Sequence, residues 1–153
     1  MHRGLLLVLA LVLGTPATAS AETVAETLQL FGLLGTWADD CSEPPANNNF
    51  HTVYASLANG NVRRTYYNAP GKIYNQYELQ RVNRVSADQL FYSQTGSAGR
   101  IDVVLTVTGN RYHVLSSQNQ DGKVYVRDGR FTENAGDGKS AGKESPWQNK
   151  CQD

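Results

Sequence analysis

Two histidines, His51 and His113, stand in the chain after residue 21, and they are the first residues to test for chemistry. Neither has a His, Cys, Asp or Glu two to four residues further on, so the ligand spacing of a zinc site is absent. Gly96-Ser97-Ala98-Gly99 places its serine wrongly for a nucleophile elbow, and a turn explains its glycines. Asp39, Asp40 and Glu43 cluster beside Cys41, where they would serve a cation or a solvated loop. Residues 117–128 match part of an EF-hand calcium loop, with Ser117, Asn119, Asp121, Gly122 and Asp128 in register. The flanks alternate like strands, however, and Asp121-Gly122 reads as a hairpin turn. Glu78, Asp102 and Asp128 stand singly, which gives no pair of carboxylates for glycoside chemistry. The expectation is no catalytic residue, no bound metal and no cofactor.

Arginine and tyrosine are the remaining chemistry-bearing types. Between Gly60 and Tyr112 lie Arg63, Arg64, Lys72, Arg81, Arg84, Arg100 and Arg111 against Glu78, Asp88 and Asp102. Tyr66, Tyr67, Tyr74, Tyr77 and Tyr92 are interleaved with them. Guanidinium groups favour planar anions and aromatic faces. The pattern fits a patch for an anionic or aromatic ligand, or for an acidic protein surface; the plainer reading is decoration of strand exteriors. Over the whole chain Lys+Arg is 14 and Asp+Glu is 14, so nothing advertises nucleic acid.

These residues need elements to position them, and the composition favours strands. The 153 residues amount to one domain. Charged residues make up 18 %, below the ~25 % usual in soluble domains, and Asn, Gln, Ser, Thr, Gly and eight Tyr fill the difference. That mixture suits half-buried strands and polar turns. Residues 24–34 form the one helical candidate, with Val24, Leu28 and Phe31 on one face and Gly32 as a stop. Strands are expected over 36–38, 50–58, 61–67, 73–85, 90–95, 100–108, 112–117 and 124–131. Asn59-Gly60, Ala69-Pro70-Gly71, Gly109-Asn110 and Asp121-Gly122 separate several of them with turn chemistry. About eight strands at this spacing predict an all-β, antiparallel, up-and-down barrel, closed so that no edge is left exposed. Residues 132–145 hold no large apolar side chain and are expected to be a mobile loop.

The first 21 residues have the layout of a secretory signal peptide: Arg3 in a short positive start, an apolar run from Leu5 to Leu13, and Ala19-Ser20-Ala21 before the cut. The domain expected is 22–153, in the periplasm or outside the cell, with no membrane span. Its two cysteines, Cys41 and Cys151, lie 110 residues apart and are expected to pair in an oxidising compartment.

Gly35-Thr36-Trp37, at the start of the first expected strand and just after a helical turn, resembles the opening motif of the lipocalins and the wider calycin superfamily. The run from Phe31 to Cys41 also resembles small secreted proteobacterial proteins of unassigned function. The resemblance implies an eight-stranded barrel with a ligand cavity. It also implies a structural Trp37 packed across the closed end under an arginine, for which Arg127 and Arg130 are the matching positions. The leading expectation is a non-enzymatic periplasmic binding protein for a small apolar or aromatic ligand, with Tyr77, Leu79, Val103 and Leu105 facing inward. The alternative is a proteinaceous inhibitor or accessory partner of an exported enzyme, of the lysozyme- or protease-inhibitor kind, acting through its loops. A filled barrel would favour the second and an empty one the first.

Overall fold

The computed structural model describes residues 21–152, so the expected signal peptide lies, but for Ala21, outside the described residues. Strands hold 54 % of the described residues and helix 5 %. The helix, α1 (Val24–Leu30), begins at a capping box. Thr23 Oγ1 accepts from the Glu26 amide, and the Glu26 carboxylate accepts from the Thr23 amide at 2.7 Å. Val24, Thr27 and Leu28 are its buried face, and Gly32, at φ 68°, lets the chain leave.

Ten strands follow in chain order: β1 (Gly35–Ala38), β2 (His51–Ser56), β3 (Val62–Ala69), β4 (Lys72–Arg84), β5 (Gln89–Gly96), β6 (Gly99–Thr108), β7 (Arg111–Asn119), β8 (Val124–Arg127), β9 (Arg130–Phe131) and β10 (Trp147–Lys150). The first seven form an antiparallel meander in sequence order, and β10 closes it by pairing with both β1 and β7. The barrel therefore has eight staves, with β8 and β9 outside the ring.

The eighth stave is not the expected 124–131. Asp128 and Gly129 have φ of 49° and 73°, which makes a tight two-residue turn and folds that segment back as the β8–β9 hairpin. Gly129 is required there, since a Cβ would sit 2.5 Å from His113 Nε2. Because β10 is short, β7 has two neighbours along one edge. Arg111–His113 pair with β10, whereas Ser117 and Gln118 pair with β8. Residues 132–145 run through successive turns and return to the hairpin, with Phe131 N–H donating to Lys143 O and Gly142 N–H to Phe131 O.

Cys41 and Cys151 are bonded, with Cα atoms 5.3 Å apart, and tie the chain after β1 to the chain after β10. Among the described residues no helix is long and apolar enough to cross a membrane.

The core lies at the α1 end of the barrel. Leu28 and Leu33 meet Trp37, Tyr54, Val62, Leu79, Leu90 and Leu105 there, all buried. Trp37 Nε1 donates to Leu33 O at 2.8 Å, and its ring meets Tyr112 edge-on at 5.0 Å. The cation over Trp37 is Lys150, 5.6 Å from the ring centre, whose Nζ also donates to Gly32 O. The expected Arg127 and Arg130 are exposed on the β8–β9 hairpin instead, and Arg130 donates to Gly142 O. The stave beside β1 is β10, so β10 supplies the cation.

Candidate functional site

The other half of the barrel is open. Strand alternation sends Thr52 of β2, Arg64 and Tyr66 of β3, Tyr77 of β4, Gln94 of β5 and Val103 of β6 around a cavity of about 640 Å³. Tyr125, Val126 and Phe131 complete its wall where β10 falls short, so the outlying hairpin has a place in the site. Phe50 and Asn48, from the segment before β2, also line it. Tyr77 is set by Gly96, where a Cβ would lie 2.6 Å from the tyrosine ring. A smaller recess of about 320 Å³ between Phe50, Tyr66, Tyr74 and Tyr77 adjoins the same aromatic wall.

Of the four inward-facing residues expected from sequence, Tyr77 and Val103 line this cavity. Leu79 and Leu105 point inward too but sit in the filled half, fully buried in the core. Arg64 was not among the four. It is 4 % exposed, although its neighbour Arg63 faces solvent. The signal was parity: Arg64 alternates with Val62 and Tyr66 along one face of the strand.

The surroundings of Arg64 are aromatic. Its guanidinium carbon lies 4.5 Å from the centre of the Tyr66 ring, 5.2 Å from Tyr54 and 5.9 Å from Tyr92. Nη1 donates to Tyr92 Oη at 2.7 Å and to Gln94 Oε1 at 3.3 Å. Nε is enclosed and has no acceptor. The ion pairs among the described residues are Arg84–Glu22, Arg100–Asp102 and Lys139–Asp137, so none involves Arg64. Asp39 is the acidic residue that lines the cavity, and it accepts from Gln148 Nε2 at the exposed rim. Desolvation raises its pKa.

Burial pushes the Tyr54, Tyr66, Tyr77 and Tyr92 hydroxyls above the ordinary phenol range, against the pull of Arg64. At neutral pH they are neutral and give Arg64 no counter-charge. Burial lowers the pKa of Arg64, and the tyrosines raise it only once they ionise in alkali; at neutral pH the intrinsic basicity of the guanidinium keeps the group protonated. The half-empty barrel thus holds a permanent cation.

The tyrosine shifts set an alkaline limit. Each folded-state pKa lies above the unfolded value of about 10, so the stability these groups confer is complete below that pH and lost as pH rises beyond it. Stability should therefore fall as pH rises above about 10, because the unfolded chain releases the Tyr54 and Tyr92 protons before the folded one does. Urea denaturation between pH 9 and 11 reads this out, and a flat profile would contradict it.

No protein-family model, curated protein or solved structure matches the chain. What fold and site define is a closed eight-stranded antiparallel barrel, stapled by one disulfide, filled at its helix-covered end and hollow at the other.

Proposed function

We propose that the protein is a non-enzymatic binding protein of the lipocalin-like kind, holding a small apolar or aromatic ligand inside its barrel. The observation that carries this reading is the 640 Å³ cavity, which falls in the size range of small-molecule sites and has aromatic and aliphatic walls. An inhibitor acting through its loops has no need of a hollow barrel. The lipocalin-like reading draws support from the α1–Gly35-Thr36-Trp37 opening, the up-and-down order of β1–β7 and the buried Trp37. The Cys41–Cys151 bond suits an oxidising compartment such as the periplasm.

The test is titration of the folded protein with a neutral environment-sensitive dye such as Nile red. Saturable one-to-one binding is expected. Val103→Trp should weaken it by about tenfold or more, because the new ring would project into the empty half. No saturable binding, or equal binding by the Val103→Trp variant, would overturn the proposal. Native mass spectrometry of protein isolated from its own compartment would show whether a ligand is retained.

A further inference from the structure

We infer that the natural ligand of the cavity carries one carboxylate, and that Arg64 receives it. This rests on the proposal that the cavity binds a small molecule and adds the chemistry of its head group. Arg64 is 4 % exposed, lines the cavity and has no carboxylate beside it. A buried charge is costly unless it is both paired and hydrogen-bonded. The chain meets the second condition only in part. Nη1 is engaged by Tyr92 and Gln94, Nε is unpartnered, and Nη2 donates to no acceptor among the described residues. The rings of Tyr54, Tyr66 and Tyr92 hold the guanidinium in place through cation–π contacts without neutralising it. The missing component is a single negative charge with planar oxygen acceptors, which an Arg fork receives in preference to other shapes.

Charge balance selects among anions. Arg64 is the one cationic residue lining the cavity, and Asp39 already contributes a negative charge at the rim. A carboxylate leaves one opposite charge against Arg64, whereas a phosphate dianion would bring a second charge with no partner. The aromatic and aliphatic walls formed by Tyr66, Tyr77, Val103, Tyr125 and Phe131 then enclose the ligand's apolar body. Its chemical class is an amphipathic monocarboxylate.

The experiment compares two fluorescent probes that differ only at the head, pyrenebutyrate and pyrenebutanol, against the wild-type chain, Arg64→Met and Arg64→Lys. The wild-type protein should bind the carboxylate about tenfold to a hundredfold more tightly than the alcohol, as loss of a charged hydrogen bond implies. Arg64→Met should abolish that preference while keeping alcohol affinity within about threefold. Should Arg64→Met fail to fold, Arg64→Lys keeps the charge but lacks the fork, and should retain only part of the preference. Equal binding of the two probes by wild-type protein, or a preference that survives Arg64→Met, would overturn the carboxylate inference and leave a neutral-ligand site standing. Binding of neither probe, together with failure of Nile red to bind, would overturn both proposals.

Discussion

Trp37→Ala should destabilise the protein by about 3–5 kcal/mol, the range for truncating a large aromatic side chain in a core. The ring is fully buried at the α1 end, between Tyr112 on one side and Lys150 on another. Its loss leaves a void that backbone cannot refill, because the segment linking α1 to β1 is held at this point by the bond from Nε1 to Leu33 O. That carbonyl is then stranded, which adds to the cost. At about 4 °C per kcal/mol for a domain of this size, the melting temperature should fall by more than about 10 °C. Trp37→Phe restores most of the volume but not the donor, and should fall between the parent and the alanine variant. Thermal unfolding by circular dichroism measures all three. Trp37 does not line the cavity, so a variant with near-wild-type stability and impaired ligand uptake would overturn its structural role.

Removal of the disulfide, in the Cys41→Ser/Cys151→Ser variant, should cost a comparable amount. The bond closes a loop of 110 residues, for which chain entropy predicts up to about 4.7 kcal/mol. Placement adds a reason specific to this barrel. β10 pairs at two positions with β1 and at three with β7, so the closing stave shares with β1 the least extensive pairing of the eight. Without the staple it can leave, and its departure exposes the edges of β1 and β7 together. Urea denaturation should therefore show a lower midpoint. A loss below about 1 kcal/mol would indicate that β10 docks securely by its own pairing and side chains.

The meander was legible because its turns carry chemistry. Gly60 has φ 82° at the end of the β2–β3 turn, as Asn59-Gly60 foretold, and alternation from Ile101 to Val107 located β6. The pairing of Cys41 with Cys151 followed from export logic and a count of two. The closing stave was not legible. Trp147-Gln-Asn-Lys150 is four residues long, mostly polar, and follows a segment without large apolar side chains. Such a strand is specified by the two edges waiting for it and not by its own pattern. The same limit hid Asp128-Gly129, a second Asp-Gly turn inside what composition presented as one strand. In the site, Tyr77 and Val103 were within reach of alternation. Arg64 was hidden by Arg63, an identical residue on the opposite face, and because a charged residue is rarely placed inside without a visible partner.

The two halves of the barrel differ in how freely they can change over evolutionary time. Trp37, Leu79, Leu90 and Leu105 hold the filled end and tolerate little, since each missing group there opens a void. Thr52, Gln94, Val103 and Val126 face empty space, where enlarging or shrinking a side chain alters the shape of the hollow before it disturbs packing. A lineage can therefore drift at the second set and acquire new specificities while the first set conserves the fold. Arg64 stands at the boundary, touching Tyr54 and Tyr92 of the core while lining the hollow. Its replacement would redirect the chemistry of the whole chamber in a single substitution.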